Sequence, residues 1–179
     1  VNSSGAIRYN NCVGILFRTC ETFACSNDGM NGHTGDLGID RRTHAIFEDC
    51  YSHDNYDDGE SCHEYCDIVH NGGLYEYNNA GITPASGGHA VCYNVICRNN
   101  NNYPWTNNGE GTGFSAQGSS LDGGVGTNIY CFGCFAENNK VGFKGAANDN
   151  QSKAINCVAR NNNTNYGTSI EQLNCVTLN

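Results

Sequence analysis

FEDCYSHDN (47–55), followed by DGES (58–61), is the clearest copy of a unit that recurs along the whole chain. Each copy joins a short apolar run to an Asn, a polar gap and a Gly. Measured on the Asn, the steps 55→78, 78→99 and 138→161 span 23, 21 and 23 residues, and the step 99→138 spans 39, about one turn plus an insertion. Strand-length pieces at this period predict an all-β solenoid of stacked strands. The other copies are FACSN (23–27) with LGID (37–40), GGLYEYNN (72–79) with AGIT (80–83), VICRNN (95–100) with TGFS (112–115), FAENN (135–139) with VGFK (141–144), and VARNNN (158–163) with YGTS (166–169).

The composition limits the class of protein. Gly (23) and Asn (28) are abundant, and both tolerate left-handed backbone, which suits the corners of a β-coil. A net charge of −9 argues against nucleic acid as a partner, and no apolar run approaches the roughly 20 residues of a membrane span. An acidic, Asn/Gly-rich surface with ten Tyr and a single Trp suits a neutral or sugar-like partner. Because the chain starts at Val1, we expect residues 1–179 to be one β-helix domain cut from a longer protein.

Glycine sets the predicted register of the coils. Seven glycines, taken as the same corner of successive coils, predict about seven turns of 21–23 residues: Gly14, Gly38, Gly59, Gly81, Gly113, Gly142 and Gly167. The residues directly before and after each Gly share a strand face and are mostly apolar, so we expect them to point into the coil. Residues two before, two after and four after the Gly should then point outward.

Three inserted segments are predicted to be loops, namely 28–36, 101–111 and 118–126. They are rich in Gly and Asn, and loops on a rigid scaffold often carry function. In the predicted order of coils they rise as walls on either side of turns three and four. The floor between the walls should be long enough for two or three sugar residues.

The third turn, HDNYDDGESCHEYCD (53–67), departs most from the repeat. Asp58 and Glu60 occupy positions that are apolar in most other turns. Carboxylates turned toward a core are costly unless they are paired, protonated or bound to a cation. Two interpretations remain open here: a local bulge that turns the segment outward, or a working acid/base or ion site.

The candidate catalytic residues lie at the outward positions of the second and third turns, with Asp58 beside them. The predicted register places these residues next to one another: Asp36 beside Asp57, Asp40 beside Ser61, and Arg42 beside His63, with Arg18 one coil further. Carboxylates about 5 Å apart suit a retaining glycosidase. A calcium site is equally compatible, although no cofactor or metal is assigned with certainty. The catalytic candidates are Asp36, Asp40, Asp57, Asp58 and His63.

The candidate substrate-binding residues are Arg18, Arg42, Ser61, Tyr103 and Trp105. Together with His63, the two arginines could neutralise and deprotonate a uronic acid, as β-elimination by a lyase requires. The two aromatic residues flank Pro104 and could stack on a sugar ring, or pack on their own coil. A solvated face without chemistry is the alternative for each polar residue of this set.

Twelve cysteines allow a disulfide framework, but their spacing favours another interpretation. Cys25, Cys50, Cys134 and Cys157 each stand two to five residues before the Asn of the repeat. We therefore expect buried, unbridged thiols stacked in a ladder. Disulfides of an oxidising compartment and a zinc site are the alternatives.

YDDGESCHEYC (56–66), followed by GGLYEYNNAGITPASGGHAVCYNV (72–95), resembles segments of the pectate-lyase-like superfamily, and in particular of phage tailspike and tail-fibre proteins. The resemblance implies a right-handed parallel β-helix, commonly a homotrimer, that binds or cleaves surface polysaccharides by hydrolysis or elimination. Glu60 stands where that pattern usually has an apolar residue. The Gly-His-Gly and Arg-x-Lys signatures of polygalacturonases are missing.

Three functions fit these observations. The first is a viral tailspike-like protein of the virion tail that binds a host surface polysaccharide, with or without degrading it. The second is a secreted polysaccharide lyase or glycoside hydrolase that acts on an acidic glycan. The third is a structural shaft or adhesion module whose polar face performs no chemistry.

Overall fold

A computed structural model describes residues 5–34, 42–101, 110–118, 126–147 and 151–179. Within these ranges every regular element is a β-strand, and the strands form three parallel sheets of seven. Each strand pairs with the corresponding strands of the previous and next coils, so the chain is an all-β parallel β-helix of seven coils. The predicted solenoid fold is confirmed.

Each coil contributes one strand to each sheet, in the order sheet A, sheet B, sheet C. Sheet A contains β1 (Ile7–Asn10), β4 (Met30–His33), β7 (Asp58–His63), β10 (Ala80–Ala85), β13 (Thr112–Ser115), β16 (Val141–Lys144) and β19 (Thr164–Tyr166). Sheet B contains β2 (Val13–Arg18), β5 (Thr43–Glu48), β8 (Cys66–Asn71), β11 (His89–Tyr93), β14 (Asn128–Phe132), β17 (Lys153–Ile155) and β20 (Glu171–Leu173). Sheet C contains β3 (Glu21–Phe23), β6 (Tyr51–His53), β9 (Leu74–Glu76), β12 (Ile96–Arg98), β15 (Phe135–Glu137), β18 (Val158–Arg160) and β21 (Val176–Leu178). Over these ranges the chain has no helix with the length and apolar character that a membrane crossing needs.

The core consists of columns of side chains that run along the coil axis. In sheet A one inward column contains Met30, Ile82, Phe114 and Phe143, which are all fully buried. The Phe114 and Phe143 rings stack with centroids 4.9 Å apart, close to the spacing of paired strands. Burial of each such side chain stabilises the fold by roughly 1.5–3 kcal/mol. The core therefore forms only when coils stack on one another.

A residue in the left-handed backbone region occupies the corner between sheets B and C in all seven described coils and the corner between sheets C and A in the first six. Between sheets B and C the residues with positive φ are Thr19, Asp49, Gly72, Asn94, Gly133, Asn156 and Asn174. Between sheets C and A they are Ala24, Asp54, Tyr77, Asn99, Asn138 and Asn161. Asn, Asp and Gly tolerate this region best, which explains much of the unusual composition.

An asparagine ladder follows the corner between sheets C and A. Its members are Asn55, Asn78, Asn100, Asn139 and Asn162, and each of the last four accepts through Oδ1 a hydrogen bond from the backbone N–H of the ladder residue one coil earlier. Asn55, the first member of the ladder, accepts through Oδ1 a hydrogen bond from the Cys25 N–H. Asn78 Nδ2 also donates to the Ser52 carbonyl oxygen, 3.0 Å away. The ladder ties each coil to its neighbour at a buried turn.

The Asn predicted as the repeat marker is correct in two coils and one residue early in three. Asn55 and Asn78 are ladder residues, whereas Asn99, Asn138 and Asn161 hold the left-handed corner just before the ladder. Adjacent asparagines occupy both positions in those coils, so sequence spacing alone could not separate them.

Four of the seven predicted corner glycines form one column of sheet A, namely Gly59, Gly81, Gly113 and Gly142. A Cβ at Gly81 would lie 2.5 Å from the Gly113 carbonyl oxygen, so side chains are excluded from this column. The glycines permit the close approach of consecutive coils at this corner.

The remaining predicted glycines do not complete the column. Gly14 lies in β2 of sheet B, and Gly167 lies two residues beyond the column position, because Tyr166 pairs with Phe143. Gly38 lies outside the described residues. In the second coil the corner is Gly29, since Met30 pairs with Glu60.

The lengths of the coils depend on the insertions. The predicted period of 21–23 residues holds from Asp58 to Ala80, a step of 22, and from Val141 to Thr164, a step of 23. From Ala80 to Thr112 the step is 32 residues. The prediction of a loop at 28–36 was wrong in part, because β4 lies within this segment.

All twelve cysteines lie in the described ranges and none is bridged, as the ladder interpretation predicted. Cys50, Cys134 and Cys157 follow the corner between sheets B and C and are buried. Cys25 does not belong with them. It directly follows Ala24 at the other corner, where later coils have the ladder Asn.

Replacing Asn78 by Ala should destabilise the protein by about 2 kcal/mol or more. The variant leaves the Asn55 N–H and the Ser52 carbonyl without partners in a buried turn, and each such group costs about 1–3 kcal/mol. Urea unfolding measures the change. The matched control is Asn71→Ala at the exposed end of β8, which should shift stability by less than about 0.5 kcal/mol. Equal losses in both variants would show that the ladder is not what joins the coils.

Candidate functional site

A cavity of about 480 Å³ lies on the outer face of sheet A, and we call it the sheet A cavity. Strands β4, β7 and β10 form its floor with two in-register rows of side chains: Asn31, Ser61 and Thr83 in one row, and His33, His63 and Ala85 in the other. Glu60 and Ile82, which directly precede Ser61 and Thr83 of the first row, face the core. The other lining residues are Asn27, Asp28, Asp57, Asp58, Asn79, Glu110 and Gln117.

The structure brings together three predicted catalytic residues and one predicted substrate-binding residue, Ser61. Asp57, Asp58, Ser61 and His63 all line the sheet A cavity. Asp57, Ser61 and His63 were predicted to point outward, and their positions agree. Asp36 and Asp40, as well as Tyr103 and Trp105, lie outside the described residues.

The predicted neighbours of these residues were wrong. Ser61 pairs with Asn31 rather than with Asp40, and His63 pairs with His33 rather than with Arg42. The physical reason is that the second coil enters sheet A at Met30, several residues before the glycine that was taken as its corner.

The two arginines lie on sheet B instead of beside His63. Arg18 donates from Nε to Glu48 Oε2 over 2.7 Å, and Arg42 donates to both carboxylate oxygens of Asp67. Although burial raises the pKa of Asp67, hydrogen bonds from His89 and Arg42 lower it to about 2. Both arginines are therefore paired within sheet B, and the predicted arrangement for neutralising a uronic acid is not formed.

Glu60 is in the core, as its position in the repeat predicted. The Tyr9 hydroxyl donates to Glu60 Oε1, and His70 Nε2 lies 3.6 Å from Glu60 Oε2. The His70 ring in turn contacts the Tyr75 hydroxyl through Nδ1, at 2.8 Å. One oxygen of this carboxylate is thus hydrogen-bonded in the core, whereas Glu60 Oε2 and His70 Nε2 have no hydrogen-bond partner among the described residues.

The residue before each glycine was predicted to face the core, but Asp58 lines the cavity. Gly59 and Glu60 both face the core, since a Cβ at Gly59 would meet Asn78 and Tyr75. The strict alternation of faces breaks at this glycine. The residue before the corner therefore points outward, and its carboxylate joins Asp57.

Three carboxylates meet at one end of the cavity. Asp28, Asp57 and Asp58 each offer an oxygen within 4.8 Å of the others. Burial, followed by the charges of Asp57 and Glu60, raises the pKa of Asp28 to about 7, although hydrogen bonds from the Asp58 N–H and from Asn31 oppose the shift. Burial and the charges of Asp28, Asp57 and Glu110 raise the pKa of Asp58 well above its usual range. Such a cluster can share a proton or hold a cation.

Sequence reasoning missed Asp28, Asn31, His33 and Glu110. A signal for the first two was present: NDGMN (27–31) has the same Asp-Gly spacing as DDGES (57–61). This similarity shows that the two segments begin equivalent strands in consecutive coils. It was missed because the later glycine, Gly38, was taken as the corner of the second coil.

Ser61 and His63 form a hydrogen-bonded pair on the cavity floor. Ser61 Oγ lies 2.6 Å from His63 Nε2, and the His63 ring stacks on His33 with centroids 4.7 Å apart. Burial, and then the charge of His33, lowers the pKa of His63 to about 4. The imidazole is therefore neutral at pH 7 and offers a polar, flat surface next to a hydroxyl.

Compared with protein-family models, curated proteins and solved structures, the chain has no significant match in any of the three. Its function is therefore inferred from the sheet A cavity itself.

Asp58→Asn should raise stability at pH 8 in a chelating buffer. The folded-state pKa of Asp58 lies above its unfolded value of 3.8, so its contribution is fully present below about pH 4 and is lost as the pH rises through the folded pKa. The Asn variant avoids this loss, and one pKa unit corresponds to about 1.4 kcal/mol. Chemical unfolding at pH 8 and pH 4 measures the difference. The variant's advantage should shrink at pH 4, and the exposed control Asp49→Asn should show none.

Proposed function

We propose that this chain is a tailspike-like protein that binds a surface polysaccharide in the sheet A cavity. One observation carries the proposal: buried hydrogen-bonding atoms on the outer face of sheet A have no partner within the described part of the chain. They include Thr83 Oγ1 and Ser115 Oγ. Unsatisfied buried polar atoms are costly, and hydroxyl groups of a sugar are suited to satisfy them.

The size and charge of the cavity narrow the ligand class. Its volume of about 480 Å³ falls within the range of ligand pockets. Four acidic side chains line it, and no Lys or Arg is among the described lining residues. A neutral polysaccharide avoids the repulsion that an acidic glycan would meet there. The acidic lining therefore favours the first of the three functions over a lyase that acts on an acidic glycan.

Thr83→Val should weaken glycan binding by roughly 2–10-fold. The substitution keeps the shape of the side chain and removes one hydroxyl, and a hydrogen bond contributes about 0.5–1.5 kcal/mol. A panel of bacterial surface polysaccharides identifies a ligand, and isothermal titration then compares the variants. The matched control is Thr177→Val on exposed β21, which should bind like the wild type. Equal affinity of all three proteins would contradict the assignment of the cavity.

The same panel reads cleavage. New reducing ends indicate hydrolysis, and absorbance of an unsaturated uronate indicates elimination. An unchanged, bound polysaccharide leaves recognition as the function. Absence of binding to every glycan favours the structural shaft and contradicts the proposal.

An apolar row on sheet C supports the proposed homotrimer. Six in-register residues form this row along the outer face of the sheet: Tyr51, Leu74, Ile96, Phe135, Val158 and Val176. Ile96 is 38% exposed and Val176 48% exposed. Each copy presents the same row parallel to its axis, so parallel association of copies would cover it.

Ile96→Lys should convert the proposed trimer into monomers. A charge in the centre of the row opposes burial against another copy. Size-exclusion chromatography with light scattering gives the mass. Asn10→Lys, at an exposed position of sheet A, is the control and should remain trimeric. A monomeric wild-type protein would refute the trimer but leave the glycan proposal standing.

A further inference from the structure

Two consecutive coils present the same acidic entry to sheet A. Because Met30 pairs with Glu60, the Asp-Gly pairs Asp28-Gly29 and Asp58-Gly59 occupy equivalent positions one coil apart. Asp57 precedes the second pair and adds a third carboxylate, so that oxygens of all three acids lie within 4.8 Å of one another. The described lining residues include no Lys or Arg that could neutralise them.

The hydrogen bonds of the cluster satisfy some of its side-chain oxygens and not others. Asp28 is held through both oxygens, because Oδ1 accepts from the Asp58 N–H at 3.2 Å and Oδ2 accepts from Asn31 Nδ2 at 2.5 Å. Asp57 Oδ1 accepts from Asn79 Nδ2 at 2.9 Å. Asp58 Oδ1 and Asn31 Oδ1 are buried and have no hydrogen-bond partner in the described part of the chain.

These two oxygens point to a ligand. Asp58 is only 7% exposed and Asn31 only 2%, and both line the sheet A cavity. A carboxylate oxygen and an amide oxygen are acceptors only, so another acceptor cannot satisfy them. A cation is a suitable partner for such oxygens, and it offsets the repulsion among the three carboxylates.

We propose that Asp28, Asp57, Asp58 and the side-chain oxygen of Asn31 bind a hard divalent cation of the calcium class. An all-oxygen donor set with three carboxylates suits Ca²⁺, which accepts irregular geometry, better than metals that prefer thiolate or imidazole. Mg²⁺ requires a near-octahedral shell and is expected to bind more weakly. The inference does not rest on the glycan proposal, because it uses the carboxylate end of the cavity rather than the Thr83 hydroxyl.

Calcium titration of the intact chain tests the site. Differential scanning calorimetry in chelated buffer, then with CaCl2 up to about 10 mM, covers the weakest dissociation constants usual for such sites. We expect the melting temperature to rise by several degrees with calcium and to return with chelator, because a ligand bound only to the native state stabilises it. Isothermal titration should give close to one ion per chain, with weaker binding of MgCl2.

Two variants separate a specific site from general screening. Asp58→Asn should lose the calcium-induced shift while remaining folded, and in chelator it should melt no lower than the wild type. Asp49→Asn removes an exposed carboxylate from the corner between sheets B and C and should keep the full shift. The proposal is overturned if calcium at about 10 mM shifts nothing in the wild type, or if Asp58→Asn responds like Asp49→Asn.

Loss of glycan binding in Thr83→Val with calcium binding intact would show that the two proposals stand or fall separately.

Discussion

Parallel stacking in register is the constraint on which the rest of this structure depends. Each side chain has the equivalent residues of the previous and next coils as neighbours, about 4.8 Å away. Asn78 accepts a hydrogen bond from the Asn55 N–H at the turn, and Phe143 stacks on Phe114 in the core. A single coil can do neither, so stability comes from the interfaces between coils. The backbones can approach one another this closely at one corner only because the column consists of glycines, which have no Cβ.

The same constraint makes like charges neighbours, and the structure accommodates them in two ways. Glu60 stands in the inward column of Met30 and Ile82, where Tyr9 and His70 surround its carboxylate. On the outer face the acidic entries of two coils meet without a Lys or Arg among the described lining residues. Three residues of the same cavity, Asn31, Asp58 and Thr83, each have a buried side-chain oxygen without a hydrogen-bond partner in the described part of the chain. Both proposals follow from this imbalance, one through neutral hydroxyls and the other through carboxylates.

Much of the site could be predicted from the repeat, and the wrongly predicted neighbours of its residues have one cause. The positions two before and two and four after Gly59 were predicted to face outward, and Asp57, Ser61 and His63 do so. The inward position of Glu60 was also correct. The neighbours of these residues were missed because the preceding coil was placed by the wrong glycine. A register shift of several residues changes every cross-coil pair at once.

The sequence by itself determined the stacked-strand fold, most of the glycine column and the outward face of the third coil, because periodic spacing specifies which positions repeat. Only the tertiary structure decided which segment of the second coil enters sheet A. Both NDGMN (27–31) and GDLGID (35–40) offer an acidic residue close to a glycine and an apolar neighbour. In a periodic sequence, two segments a few residues apart can fit the repeat equally well. Only the pairing of a whole strand with its neighbour selects one of them, as Met30–His33 does with Glu60–His63.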